Sequence, residues 1–299
     1  MNESTLVVGG QTVFFKTSEN MKELKDGQSS FVITSPPYWN LKDYDHPDQI
    51  GQESYEKYIE RMNTVWSECY RVTKDNGLLA INVNSLRHDK IFRPIAMDIY
   101  SRMPKWKLVD TFVWYVPNAL PQPSYYIDKL FDNKFEFLLL FAKNYNYDYT
   151  FHKIRVCQKY ANIDPRKEKY HPEGRCIGNV IKIPAYRPPN IKQMNYHVSA
   201  FPEELVYVFL SAFTDPEDYV LDPFLGSGTT LKVCRIMKRK GIGYEINTTL
   251  KDTIYQRILE PWTPPSFEEM DIINSTSQLG KRKRRRPKLS KKAQQLRIF

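Results

Sequence analysis

The sequence predicts an α/β chain organised as a doubly wound, mostly parallel sheet, and three observations carry that reading. Seven short apolar runs are bounded by polar residues or by Gly and Pro, as buried strands are. Helical periodicities separate several of them. A Gly-x-Gly turn joins one of the runs to a helix.

The runs are Thr12 to Phe15, Phe31 to Thr34, Leu78 to Val83, Val109 to Tyr115, Phe135 to Phe141, Tyr219 to Asp222 and Gly241 to Tyr244. Between the second and third, Tyr55, Tyr58, Ile59, Met62, Val65, Trp66 and Cys69 recur on one helical face. After Pro202, Glu203 and Glu204 lead an apolar stretch to Phe213, with carboxylates at the positive end of a helix dipole. A third helix is expected from Thr229 to about Lys238. The last segment opens on Pro261, Pro264 and Pro265 and ends in a basic run, so it reads as a linker and tail.

The 299 residues suit roughly two domains, or one large α/β domain with an insertion. Hydrophobic residues at 41% and charged residues at 26% exclude a collagen-like, coiled-coil or wholly disordered protein. No stretch reaches the ~18 consecutive apolar residues of a membrane span, and the start MNESTLVVGG has no signal-peptide pattern. A soluble, cytoplasmic protein that contacts no membrane is therefore expected. Cys69, Cys157, Cys176 and Cys234 are scattered, which points to neither a disulfide framework nor a zinc site.

The formal charge is +10, and its distribution is uneven. Residues 281–299 hold ten Lys or Arg and no acid. Residues 144–195 hold ten basic and four acidic residues, together with six tyrosines at 145, 147, 149, 160, 170 and 186. Cations interleaved with aromatic rings suit a nucleic-acid surface; a solvated insertion is the alternative. The tail suits phosphate contacts, a nuclear import signal or a solvated end.

In YVLDPFLGSGTTLKVCRIMKRKGIGYEIN, a strand precedes Gly226 and Gly228, a helix follows, and a second strand ends at Glu245, nineteen residues after Gly226. The glycines let backbone approach a ligand at the helix start, and an acid about twenty residues on accepts from ribose hydroxyls. Position 231 is Leu where a dinucleotide fingerprint has its third glycine, and no G-K-[ST] follows. A ligand with a ribose and no pyrophosphate fits better than NAD or ATP, although a lone G-x-G serves any tight turn.

The run ending at Thr34 leads directly into Ser35, Pro36, Pro37, Tyr38 and Trp39. Two prolines remove two backbone donors and fix φ twice, leaving a rigid rim of carbonyls, a hydroxyl and two aromatic faces. Such a rim accepts hydrogens from a flat amine and stacks on its ring. Alkylating a nucleobase amine needs this, because hydrogen bonds to both amino hydrogens stabilise the positive charge that develops on nitrogen. A Pro-Pro-aromatic turn that merely ends a strand is the plainer reading.

TSPPYWN at 34–40, DPFLGSGTT at 222–230 and HVSAFPEEL at 197–205, with Trp114 in FVWYVPN as a weaker echo, resemble the catalytic, cofactor and preceding motifs of the DNA amino-methyltransferases. Their order resembles that of the circularly permuted β group, and a Ser heading the catalytic motif resembles its cytosine-N(4) members. The resemblance covers about residues 12–260. It implies a Rossmann-like S-adenosylmethionine-dependent methyltransferase fold with a seven-stranded sheet. The catalytic part is then 1–143, a target-recognition insertion 144–195, the cofactor part 196–260, and a linker with basic tail 261–299. Asp222, Phe224, Gly226 and Gly228 are implied to line S-adenosylmethionine, with Thr34 close by and Glu245 on its ribose. Ser35, Pro36, Pro37 and Tyr38 are implied to hold the target amine. Relatives often carry Asp near Thr17 to contact the adenine end of the cofactor, a contact for which Glu19 is the candidate substitute here.

The implied partners are double-stranded DNA, from which the base must flip at a cost of a few kcal/mol, and a cognate restriction endonuclease. Tyr38 and Trp39 offer stacking faces for the flipped base. No cysteine follows a proline, so attack through a thiolate at ring carbon is unsupported. The rival readings are adenine-N(6) or RNA methylation, and a nucleic-acid-binding protein without activity.

Overall fold

The computed structural model describes residues 4–41, 43, 46–123, 125–156, 175–185 and 201–270. The chain begins with β1 (Thr5–Val8), β2 (Gln11–Phe14) and β3 (Ser29–Thr34), followed by α1 (Tyr55–Val72) and β4 (Thr73–Val83). A small hairpin of β5 (Leu86–His88) and β6 (Ile91–Arg93) precedes α2 (Ile95–Arg102), β7 (Lys107–Tyr115) and β8 (Phe135–Ala142). Then come β9 (Arg155–Val156), β10 (Arg175–Cys176), β11 (Val180–Lys182), α3 (Glu203–Phe213), β12 (Tyr219–Asp222), α4 (Thr229–Ile236), β13 (Lys240–Tyr244), α5 (Lys251–Leu259) and α6 (Phe267–Met270).

All seven apolar runs lie in one sheet, ordered β1-β2-β13-β12-β3-β4-β8-β7-β11. The sheet has nine strands where seven were expected. The additional two are its edges. β1 folds back on β2 through Gly9 and Gly10, whose φ of 56° and 77° suit a two-residue hairpin turn. β11 pairs with β7, Val180 opposite Val113. Only β1 and β8 run against the others.

β3 connects through α1 to β4 on one side, and β12 connects through α4 to β13 on the other, while β3 and β12 are themselves neighbours. The strand order reverses between them. In open α/β sheets ligands bind outside the carboxyl ends of the strands at this reversal.

Side chains alternate along each strand, so the sheet feeds two cores. Val32, Leu79 and Leu221 pack under α1 and α2, whereas Phe31, Ile33, Leu78 and Val220 pack under α3 and α4. Ser54 caps α1 by accepting from the Lys57 amide at 3.4 Å. Ile154, Val156, Ile181 and Ile183, from the described part of 144–195, are buried, and three of them join the second core. Residues 261–270, read as the start of a linker, lie against the body: Phe267 stacks on Tyr207 of α3 at 5.0 Å and 6°. Their aromatic residues override the proline signal. Tyr160, Tyr170, Tyr186, Cys157, residues 197–200 and the basic run 281–299 lie outside the described residues.

Candidate active site

Thr34 closes β3 and Asp222 closes β12. The Thr34 hydroxyl donates to Asp222 Oδ1 at 2.7 Å, the Thr230 hydroxyl donates to Oδ2 at 2.6 Å, and the Phe224 amide donates to Oδ1 at 3.1 Å. Asp222 is 1% exposed, and burial pushes its carboxyl up to about 6. The aspartate therefore joins the strand end to the first turn of α4 and, across the reversal, to the start of the Ser35–Tyr38 turn.

Gly226 and Gly228 adopt φ of 55° and 98°, and Gly228 caps α4 in a left-handed conformation that favours glycine. A methyl built on Gly226 would meet nothing within 4 Å. Glu245 reaches this turn: Oε2 accepts from the Gly226 amide at 2.8 Å and Oε1 from the Asn247 amide at 2.8 Å. Burial pushes Glu245 up to about 7 against those donors. Phe224 is half-buried, edge-on to Trp66 with centroids 6.1 Å apart.

In the proline turn, Pro36 is buried and Ser35, Pro37 and Tyr38 are half-buried. The Pro37 carbonyl accepts from the Tyr58 hydroxyl at 3.0 Å. The Tyr38 hydroxyl accepts from the Asn84 amide at 2.8 Å and hydrogen-bonds the Glu136 carboxylate, which also accepts from Asn82 Nδ2 at 2.7 Å. Burial raises the Glu136 carboxyl. Trp39 is half-buried and held from several sides. Its indole donates to the Glu53 carbonyl at 2.7 Å, and it packs edge-on to Tyr55 and His88 under the Arg93 guanidinium. Trp114 likewise is structural, 4% exposed and donating to the Ile183 carbonyl at 2.8 Å. Glu19 is bound by Arg61 at 2.9 and 2.6 Å and by the Thr17 hydroxyl at 3.0 Å, which holds its carboxyl below the usual range.

Sequence reasoning missed Asn84 and Glu136, which hold Tyr38, and Asn82, which donates to Glu136. It also missed Lys232, buried inside α4 and paired with Glu203 at 2.9 Å and Glu260 at 2.6 Å, which ties α3, α4 and the end of α5 behind the glycine turn. Asn82 and Glu136 interrupt apolar strands, a signal that marks a polar partner nearby. A cleft of about 570 Å³ opens beside that ion cluster, near Trp262, and contains neither turn.

The glycine turn fits a nucleoside-bearing cofactor. Space opens beside Gly226, Ser227 Oγ and Thr229 Oγ1 are buried without a partner, and the carboxylate of Glu245 has further lone pairs for hydroxyls. Among the described residues no group of His, Cys, Asp and Glu could hold a metal ion, and no helix is long and apolar enough to cross a membrane.

A family model described as DNA methylase matches residues 30–256. The type II methyltransferase M.Cfr9I of Citrobacter freundii is 29% identical, covering 85% of this chain and 89% of that protein. M.MwoI of Methanothermobacter wolfeii is 30% identical over 82% of this chain, which spans only 33% of that longer protein. The solved structure of PvuII DNA methyltransferase (cytosine-N4-specific) superimposes with a TM-score of 0.64 over 88% of this chain and 91% of that one, at 18% identity. A family match over most of the chain, on a sheet whose strand reversal brings the two turns together, shows that the chain belongs to the DNA methylase family and is an S-adenosylmethionine-dependent DNA methyltransferase.

Proposed function

We propose that this enzyme methylates the N(4) amine of cytosine within a short sequence of duplex DNA, as the modification half of a restriction-modification system. The carrying observation is the Thr34–Asp222 hydrogen bond, which joins the strand end leading into the serine-proline turn to the strand end leading into the glycine turn and so supports one shared site. Ser35 at the head of the turn supports cytosine, as do the fold of the cytosine-N4-specific neighbour and the type II methyltransferase relatives. Under this reading the motif order is that of the circularly permuted group, 144–195 chooses the sequence, the partner is a nuclease of the same specificity, and the enzyme works in a prokaryotic cytoplasm.

Asp222, Phe224, Gly226, Gly228 and Glu245 hold the cofactor, with Thr34 fixing Asp222. When bound, the cofactor supplies an electrophilic methyl group on a sulfonium. The Ser35 hydroxyl and Pro36 carbonyl accept the two amino hydrogens of the extruded base, which favours the pyramidal, positively charged nitrogen of the transition state. Tyr38 stacks on the base with its hydroxyl pinned by Asn84 and Glu136. The proton leaves the product amine to solvent, so no strong general base is required.

Nucleoside mass spectrometry of DNA from cells expressing the chain is expected to show 4-methylcytosine, and sequencing of that DNA to show one short motif. 6-Methyladenine alone would reassign the base. No modified base in any DNA would reject the reading.

A further inference from the structure

Two segments lie at the carboxyl edge of the sheet: the β5–β6 hairpin and, between β7 and β8, the described residues of 116–134, which are 116–123 and 125–134. Both are rooted in the proline turn. The Asn84 backbone amide meets the Tyr38 hydroxyl and its side chain donates to the Phe135 carbonyl at 3.0 Å, while the Asn40 side-chain nitrogen meets His88 Nε2 at 2.6 Å. The segments touch where the Arg87 guanidinium lies 5.7 Å from the Tyr126 ring. Residues 116–134 are tied internally: the Val116 amide donates to the Lys134 carbonyl at 2.7 Å, the Gln122 amide to Asp132 at 3.0 Å, the Gln122 side chain to the Phe131 carbonyl at 2.8 Å, and the Leu130 amide to the Tyr126 carbonyl at 3.0 Å.

On this braced frame large apolar side chains stand in water. Phe131 is 99% exposed and Leu120 72% exposed, and Tyr125 and Ile127 are also exposed. Large apolar side chains left in water on a braced segment mark a contact surface. Its charge favours a polyanion over a second copy of the chain. Arg87 sits 4.7 Å over Phe92, and Lys129 and Lys90 sit 3.7 and 5.0 Å over Tyr125. A cation on a ring face keeps N–H groups for phosphate. The two segments hold five Lys or Arg against three Asp, of which Asp132 is engaged by Gln122 and by Lys134 at 3.8 Å and Asp89 lies 3.2 Å from His88, so cations prevail with exposed Asp128 counted.

We propose that the β5–β6 hairpin and residues 116–134 form the lip that meets DNA at the target, and that Phe131 enters the base stack there and supports extrusion of the base. The proposal rests on the DNA methyltransferase reading. Extrusion costs stacking and pairing energy that is smaller for a mismatched base, and apolar side chains that insert between base steps offset it. The lip acts without regard to sequence, separately from 144–195.

The test compares Phe131→Ala with the wild-type chain on duplexes carrying the mapped methylation sequence, with the target base either paired or mismatched. Anisotropy is expected to show binding of the paired duplex weakened by about tenfold and of the mismatched duplex by less than about twofold. 2-Aminopurine at the target position is expected to brighten less with the variant, while S-adenosylmethionine binding is unchanged. Equal loss on both duplexes, or no loss, overturns the wedge. So does a wild-type dimer that becomes monomeric in the variant with DNA binding intact, because the patch would then cover a second copy. A wild-type chain that transfers no methyl to DNA fails the functional reading instead, and the control reaction shows which has failed.

Discussion

The Thr34 hydroxyl donates to Asp222 Oδ1 at 2.7 Å although 188 residues separate the two in sequence. The bond crosses the sheet between β3 and β12 and couples the spacing of the two turns. Thr34→Val, nearly isosteric, leaves Asp222 with two donors. A loss of about 1–3 kcal/mol is expected, together with weaker cofactor binding and slower methyl transfer. Thermal denaturation and calorimetric titration with S-adenosylhomocysteine check it; wild-type behaviour in both would show that the bond does not couple the turns.

Glu245 carries a pH dependence of defined sign. Its ordinary value is 4.5 and burial raises it to about 7, so the folded chain holds this proton more tightly than the unfolded chain does. The associated stability is full below about 4.5 and is lost as pH rises through about 7. Relative to Glu245→Gln, the ligand-free wild type is expected to lose stability across that window. Cofactor binding moves the other way, since the ionised carboxylate accepts from ribose hydroxyls: affinity is expected to strengthen as pH rises through about 7 and to be weak and flat in Glu245→Gln. Denaturant unfolding of the ligand-free proteins from acid to alkaline pH reads the first and titration with S-adenosylhomocysteine over the same range reads the second; an equally steep binding profile in the variant would remove Glu245 from the ribose.

Tyr38 and Glu136 are expected to act as one unit. Tyr38→Phe keeps the stacking ring and removes the hydroxyl that Glu136 and Asn84 hold. If Glu136 works by orienting that ring, Glu136→Gln reduces turnover in the wild type and has little further effect in Tyr38→Phe, a coupling of about 0.5–3 kcal/mol. Additive losses in single-turnover rates would assign Glu136 another task. S-Adenosylhomocysteine affinity should stay constant throughout the cycle.

Lys232 is expected to be a stability residue. Lys232→Met breaks its pair with half-exposed Glu260 and its buried pair with Glu203, and removing one partner of a buried pair costs about 3 kcal/mol or more. Arg257, 2.7 Å from Glu203, compensates part of the charge. Denaturant unfolding should show the loss, and adding Glu203→Gln should recover some of it. Unchanged stability would mean that the cluster is not needed to support α4.

The parallel strands, the principal helices and both turns were legible because each rests on local chemistry: apolar runs, one-sided periodicity, and Gly or Pro where φ demands them. β1 escaped notice although Gly9-Gly10 between two short runs is a hairpin signal. β11 has three residues in a polar context and is a strand only because β7 offers an edge. Sequence gives neighbours but not direction, so the partners of Trp39, the Glu53 carbonyl and the Tyr55 ring, are visible only in the fold. Asn82 and Glu136 lie 54 positions apart and meet across β4 and β8, a pairing that no local pattern encodes.

The strand order has a consequence for how the enzyme is made. β2 and β3 are close in the chain, yet β13 and β12 lie between them in the sheet. A nascent chain that has completed β3 and β4 must therefore leave one flank of β3 unpaired until nearly the whole body has left the ribosome, and such late, distant pairing is slow. The Thr34–Asp222 contact closes only at that stage. Methylation competence then arrives in one step with the finished sheet, and an interrupted translation product ending before β12 carries the serine-proline turn without any site in which to use it.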